Sequence, residues 1–78
     1  MYYVYILKLN NSQYYSGYSS NIKQRIANHR KGRIGATNNF RPLELVYYAS
    51  FKTQKLATNF EKYLKSSSGF AFRNKHLI

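Results

Sequence analysis

The stretch of sequence that decides the fold runs from residue 14 to residue 29 and reads YYSGYSSNIKQRIANH. It begins with aromatic residues typical of a β-strand, which Gly17 interrupts. Ser19 or Ser20 is a suitable helix cap, and the residues after them predict a helix from about residue 21 to residue 31, ended by the glycine that follows. The stretch therefore predicts a strand that leads directly into a helix.

Two further strands are predicted on either side. Residues 2–9 are β-branched and aromatic with no breaker, and an Asn-Asn-Ser turn separates them from a strand at residues 13–16, so the two form a hairpin. Residues 43–51 predict a third strand, because they follow a proline that favours extended geometry before it. The polar, basic segment at residues 32–41 predicts a mobile loop.

A second helix is predicted from a Thr53 cap to about Ser66. Its apolar stripe consists of Leu56, Ala57, Phe60 and Leu64. A Ser-Ser-Ser-Gly break then precedes a short helical tail at residues 70–77. The order β-β-α-β-α-α predicts an α+β fold, a small three-stranded antiparallel sheet flanked by helices, in a single domain spanning residues 1–78.

The composition points to a polyanionic partner. Thirteen Lys and Arg residues against two acidic residues give a net charge of +11, which favours nucleic acid over an anionic membrane surface. The chain has no cysteine, which fits a reducing compartment, and no segment reaches the length of a membrane span. We therefore expect a soluble, cytoplasmic, unprocessed protein.

Hairpin geometry brings two tyrosines together. An odd number of loop residues puts Tyr5 and Tyr15 on the same face of the sheet, and we expect a loop of three or five. On the first helix, Arg25 and His29 lie one turn apart at the border of the buried stripe. The alternative interpretation is two packing tyrosines, a solvated arginine and a boundary histidine.

The second helix carries Glu61, one of only two acidic residues. A simple interpretation is a Glu61–Lys65 pair one turn apart, worth a few tenths of a kcal/mol. In a chain so poor in negative charge, however, a carboxylate facing a phosphate would repel it unless a divalent cation lay between them. Glu61 is therefore a candidate metal ligand, whereas Glu44, within the third strand, favours a structural role.

Taken together, these residues resemble the GIY-YIG endonuclease domain. The resemblance rests on YVY at residues 3–5, YSG at residues 15–17, Arg25 and His29 on one helix, and Glu61 on a later helix. It covers nearly the whole chain and is closest to small standalone members related to the catalytic domain of the excision-repair endonuclease C subunit. The family motifs read GIY and YIG, so the tyrosines and the glycine are kept and the changes fall where we expect packing.

The resemblance implies phosphodiester hydrolysis with one divalent cation, Mg²⁺ or Mn²⁺. Glu61 would hold the metal, and Arg25 would bind the scissile phosphate. Tyr5 and Tyr15 would line the site, and one of them would help to activate water. A phenol, with a pKa of about 10, needs the metal and the guanidinium to favour its phenolate, and His29 is an alternative proton acceptor.

Four more residues are candidates for substrate binding: Gly17, Tyr18, Lys65 and Asn74. Packing is the simpler role for Tyr18, and pairing with Glu61 is an equal alternative for Lys65. The sequence thus predicts a metal-dependent DNA endonuclease that acts in repair or processing of structured DNA, with RNA left open as a substrate. The alternative is a noncatalytic nucleic-acid-binding module of the same fold.

Overall fold

The computed structural model describes all residues from Met1 to Ile78 and shows six regular elements and one 3-10 turn. The elements are β1 (Tyr2–Lys8), β2 (Tyr14–Ser19), α1 (Ile22–Arg30), β3 (Glu44–Phe51), α2 (Gln54–Leu64) and α3 (Ser67–His76), with the 3-10 turn at Asn38–Phe40. The predicted α+β class and the order β-β-α-β-α-α are confirmed.

β1 is the central strand of the sheet, whose order is β2-β1-β3 with both pairs antiparallel. Lys8 pairs with Tyr14, so the hairpin loop is five residues long, and the register places Tyr5 opposite Gly17 and Leu7 opposite Tyr15. The predicted odd loop length is confirmed, and the Tyr5 and Tyr15 side chains therefore lie on the same face of the sheet.

The two faces of β1 contact different helices. On one face Tyr5 and Leu7 cluster with Ile26 of α1, and on the other Val4 and Ile6 cluster with α2. Burial on both faces accounts for the apolar run from Val4 to Leu7, because all four of these side chains are buried, whereas Lys8 at the end of the strand is exposed.

The apolar stripe of α2 is narrower than predicted. Ala57 and Leu64 are buried and Phe60 is half-buried against the sheet, but Leu56 is 54% exposed. Leu56 precedes Ala57 by one residue, which turns its side chain about 100° away from the face that meets the sheet. The Thr53 cap is confirmed, since its side chain accepts a hydrogen bond from the Leu56 amide at 3.1 Å.

The predicted cap of the first helix is wrong. Asn21 caps α1, and its side-chain oxygen accepts from the Gln24 amide at 3.2 Å. β2 continues through Ser19, further than the predicted end at residue 16, and the Ser19 hydroxyl instead bonds the backbone of Asn21. Gly32 follows the end of α1 with φ 77°, as a terminating glycine should.

The serine run is not a break. Ser66 caps α3 by accepting from the Gly69 amide at 3.1 Å, and the helix is longer than the predicted tail. Gly69 passes so close to the Tyr63 carbonyl that a Cβ would overlap it, which lets α3 pack tightly on the end of α2. None of the helices is long and apolar enough to cross a membrane.

The segment at residues 32–41 is anchored to the rest of the molecule. Thr37 is fully buried. The Arg41 guanidinium donates a hydrogen bond to the Arg30 carbonyl at 3.3 Å, and the backbone N–H of Asn10 donates to the Phe40 carbonyl at 3.0 Å. The polar composition predicted a mobile loop. It could not predict these anchors, because contacts of this kind produce no recognisable sequence pattern.

Candidate active site

A chain of hydrogen bonds runs through the core from β1 to the segment after α1. The Tyr5 hydroxyl lies 2.8 Å from His29 Nε2, and His29 Nδ1 lies 2.7 Å from the Thr37 hydroxyl. All three side chains are buried, and the Tyr15 ring meets the imidazole edge-on at a centroid distance of 5.4 Å. The structure thus brings both candidate tyrosines onto one histidine.

Gly17 provides space for the Tyr5 ring. It lies inside β2, opposite Tyr5, and a Cβ at this position would overlap the Tyr5 hydroxyl and ring. Gly17 has no positive φ, so its backbone conformation does not require a glycine. Its missing side chain instead lets a tyrosine of the central strand extend over β2, the edge strand.

Two opposite charges act on the Tyr5 phenol. Burial raises the pKa of Tyr5 well above its usual range, the neighbouring Tyr15 and Glu61 raise it further, and the Arg25 guanidinium opposes them. Arg25 belongs to α1 and Glu61 to α2, so the two helices bring their charges to the same phenol from opposite faces of the sheet. Without a metal ion, this balance opposes the phenolate that the sequence analysis required.

His29 is more deeply buried than the border position that its helical spacing predicted. Burial lowers the pKa of His29 below its ordinary value of 6.5, and the Arg25 charge lowers it further, so the imidazole is neutral at pH 7. A neutral imidazole has one donor and one acceptor nitrogen. When Nδ1 donates to Thr37, Nε2 accepts from the Tyr5 hydroxyl, and the other tautomer reverses both bonds.

The lowered pKa of His29 predicts acid sensitivity of the fold. In the unfolded chain the pKa of His29 is near its ordinary value of 6.5, whereas in the folded protein the pKa is lower. The unfolded state therefore binds a proton at a higher pH than the folded state does. The free energy of unfolding should therefore fall as pH drops below that ordinary value, by at most ~1.4 kcal/mol per pH unit. Urea unfolding curves recorded between about pH 7.5 and 5 measure this decrease in the free energy of unfolding.

The matched control for this prediction is the other histidine, exposed on α3. The stability of His29→Gln should depend less on pH over this range than that of His76→Gln. Equal pH dependence in the two variants would contradict the prediction.

Glu61 forms the only ion pair of the chain, with Lys65 Nζ at 3.5 Å. The Glu61 side chain is 21% exposed, and no group of three metal-ligating side chains exists. One partly exposed carboxylate fits Mg²⁺ or Mn²⁺, which keep most of their waters and recruit phosphate oxygens, better than a metal that needs a full protein cage. Glu44 is exposed on β3, opposite Lys8.

The remaining candidates for substrate binding make contacts of other kinds. Tyr18 is half-buried on the α2 face of the sheet, where its ring stacks on Tyr2 at 6.4 Å. The Asn74 side-chain oxygen accepts two hydrogen bonds from Arg73, at 3.2 and 3.0 Å. Lys65 lines a cleft together with Tyr15.

Sequence reasoning missed Thr37, the second partner of His29. It lies in a segment of polar residues without periodicity, so no pattern distinguishes it from its neighbours. The only available signal was indirect: a buried histidine needs a partner for its second nitrogen, and a hydroxyl eight residues further along the chain is within reach.

The sequence matches the family model of the GIY-YIG catalytic domain over residues 1–75. The chain belongs to the GIY-YIG family. This is a family of nucleases, which act on nucleic acid and generally use a divalent metal ion.

Similar proteins and a solved structure agree with this assignment. The GIY-YIG chain is 40% identical over 68 residues to a UPF0213 protein of Staphylococcus haemolyticus, covering 85% of this chain and 82% of that protein. A UPF0213 protein of Pediococcus acidilactici is 36% identical over 70 residues, with coverages of 86% and 71%. The solution NMR structure of a UPF0213 protein from Bacillus halodurans superposes with a TM-score of 0.60 at 28% identity, covering 96% of this chain and 84% of that one.

The chain departs from the GIY-YIG motifs at three positions, and two of them, Val4 and Ser16, have different surroundings. Val4, in the first motif, is fully buried in the core, as we expected of a packing position. Ser16, which replaces the isoleucine of the second motif, is half-buried and lines the cleft that contains Tyr15 and Lys65. Packing alone therefore accounts for the change at Val4 but not for the change at Ser16.

Proposed function

We propose that this chain is a divalent-metal-dependent endonuclease that hydrolyses phosphodiester bonds in DNA, using one Mg²⁺ or Mn²⁺ ion, in repair or processing of structured DNA. The observation that supports it most is that Tyr5, Tyr15 and His29, three of the candidate catalytic residues, contact one another, with the Tyr5 hydroxyl 2.8 Å from His29 Nε2 and the Tyr15 ring 5.4 Å from the imidazole. A binding module would need the net charge of +11 but would not need a carboxylate close enough to act on the Tyr5 phenol.

Arg25 is suited to bind the scissile phosphate. Its side chain is exposed on α1 and forms no ion pair, so the guanidinium is available to a ligand. The planar fork of a guanidinium matches two phosphate oxygens and stabilises the charge that develops on them during hydrolysis. Arg25 thus orients the phosphodiester beside the Tyr5 hydroxyl.

Glu61 would hold the metal ion. When bound, the ion supplies Lewis-acid stabilisation of a phosphate oxygen and of the leaving 3′ oxygen. Lys65 now pairs with the Glu61 carboxylate at 3.5 Å, and its exposed ammonium is free to move to a phosphate when the carboxylate takes another partner. The two alternatives for Lys65, pairing with Glu61 and binding substrate, then describe two states of one residue.

Proton transfer is best served by a relay from Tyr5 to His29. The attacking water gives a proton to the Tyr5 oxygen while the Tyr5 hydroxyl proton passes to His29 Nε2, 2.8 Å away, so Tyr5 never exists as a free phenolate. Thr37 accepts from Nδ1 and orients the ring. The Arg25 charge lowers the pKa of His29, and a phosphate bound to Arg25 would counter that effect and make the imidazole more basic.

The test is cleavage of supercoiled plasmid and of labelled branched DNA with Mg²⁺, Mn²⁺ or EDTA. We expect cutting that EDTA abolishes, and a loss of about 10²–10³-fold in Arg25→Ala, the range for removing one group that stabilises developing charge. Arg33→Ala, which removes an exposed arginine from the segment after α1, is the matched control and should retain cleavage within about tenfold.

Two results would reject the nuclease proposal: cutting that EDTA leaves unchanged, or an Arg25→Ala variant as active as the parent. Salt-sensitive binding without cutting under any condition would instead support the noncatalytic binding module.

A further inference from the structure

We propose that the cleft between β2 and α3 is a second phosphate-binding site, which holds a nucleic-acid backbone phosphate next to the scissile one. The cleft has a volume of about 280 Å³ and a polar lining formed by Ser16, Lys65 and Arg73. The proposal rests on the proposed function, since it assumes a nucleic-acid substrate, but it concerns residues outside the Tyr5 and His29 pair.

Arg73 is a buried cation without an acidic partner. It is only 8% exposed, and the single ion pair of the chain is that between Glu61 and Lys65. Burial of an unpaired charge costs free energy, and an apolar side chain would fill the same space without that cost. A cation in this position therefore indicates an anionic ligand.

The Arg73 guanidinium is held in one orientation. It lies over the Tyr14 ring at 5.0 Å and over the Phe70 ring at 4.4 Å, so aromatic rings hold the planar group in place. Its Nε and Nη2 donate to the Asn74 side chain, at 3.2 and 3.0 Å. A guanidinium fixed in this way loses little conformational entropy when a ligand binds.

One nitrogen of Arg73 remains available. Nη1 forms no hydrogen bond within the protein, and no buried side-chain nitrogen or oxygen lacks a partner. Nη1 must therefore be accessible from the solvent, and Arg73 belongs to the wall of the cleft. The guanidinium thus has a donor ready for a ligand that enters the cleft.

Ser16 adds a hydroxyl to the same wall. It replaces the isoleucine of the family motif, is half-buried, and its hydroxyl forms no hydrogen bond with the protein. Serine hydroxyls and arginine guanidinium groups are both common ligands of backbone phosphates. Two unrelated positions on β2 and α3 thus present phosphate ligands to one cleft.

Lys65 and Tyr15 connect the cleft to the candidate active site. Both line the cleft, while Lys65 also pairs with Glu61 and Tyr15 contacts His29. A phosphate at Arg73 is therefore adjacent to the proposed metal ligand. This continuity favours a neighbouring phosphate of the same nucleic-acid strand over a free phosphate ion.

The first test measures binding of a fluorescent oligonucleotide by anisotropy in EDTA, over a range of salt concentrations. For Arg73→Gln the slope of log affinity against log salt should be smaller by about 0.7–0.9, the loss of one phosphate contact. Lys75→Gln removes the same charge from the exposed side of α3 and should leave the slope closer to that of the parent. An unchanged slope in a folded Arg73→Gln protein would overturn the proposal.

A second measurement uses only the parent protein, in case Arg73→Gln does not fold. Addition of an oligonucleotide in EDTA should shift the amide NMR signals of Ser16 and Phe70, and their absence from the shifted set would overturn the site. Inorganic phosphate that shifts these signals as strongly at equal concentration would indicate a free-phosphate site and reject a backbone phosphate.

These measurements do not depend on catalysis. A smaller salt slope in Arg73→Gln together with a failed cleavage assay would reject the nuclease and leave the second phosphate site standing. Metal-dependent cleavage together with an unchanged salt slope in Arg73→Gln would support the nuclease and reject the second phosphate site.

Discussion

Glu61→Gln is expected to reduce cleavage by at least ~100-fold while leaving the fold intact. Loss of a group that only orients a metal ligand already costs 10–100-fold, and the ligand itself should cost more. The stability change should stay within about 0.5 kcal/mol, because the exposed pair that Glu61 forms with Lys65 contributes little to folding. Single-turnover cleavage with saturating Mg²⁺ and a urea unfolding curve measure the two effects.

Glu44→Gln is the matched control, because it removes the other acidic residue, exposed on β3, and should cut like the parent. Glu61→Gln should bind DNA in EDTA at least as tightly as the parent, since it removes a negative charge from a surface that binds a polyanion. A folded Glu61→Gln protein that still cuts at the parental rate would exclude a metal-binding role for this carboxylate.

Gly17→Ala is expected to damage both the fold and the site. The added Cβ would overlap the Tyr5 ring, which is held by its hydrogen bond to His29 and cannot move without breaking it. Overpacking of this kind costs about 1–3 kcal/mol, and a displaced hydroxyl should lower cleavage by about 100-fold or more, because small misplacements in a site are enough for such losses. Thermal unfolding and cleavage assays test the two effects.

Gly35→Ala provides the control for Gly17→Ala, because a Cβ at Gly35 meets nothing within 4 Å. A double-mutant cycle identifies the cause: in a Tyr5→Ala background, where the ring is gone, Gly17→Ala should cost far less stability. An equal cost in both backgrounds would show that Gly17 is needed for the strand itself and not for the Tyr5 ring.

The sequence predicted the features that depend on local geometry. The parity of a hairpin loop was enough to place Tyr5 and Tyr15 on one face, and helical spacing was enough to place Arg25 and His29 one turn apart. These relations hold for any hairpin and any helix, so they need no knowledge of the packing around them.

The features that the sequence did not predict depend on where elements end and what lies between them. Asn21, and not a serine, caps α1, because β2 extends to Ser19. The serine run begins a helix instead of breaking one, because Gly69 lets that helix approach α2. Both outcomes were decided by tertiary contacts that local propensity does not contain.

The electrostatics of the site were also beyond the sequence. The sequence predicted that Arg25 and Glu61 belong to one site but could not give the burial of Tyr5, which dominates the shift of its pKa. That burial changes the expected chemistry, from a phenolate base to a phenol that passes a proton between water and His29. The depth of a side chain is a property of the whole fold, so it becomes known only with the three-dimensional structure.

Tyr5 and His29 are among the most deeply buried side chains of the molecule, although they belong to its candidate active site. Heating should therefore abolish catalysis and melt the domain over the same temperature interval, since no rigid scaffold exists beneath a separately flexible catalytic surface. Selection for thermostability would then have few neutral substitutions available at these two positions, and laboratory evolution of this protein should change its surface before its centre.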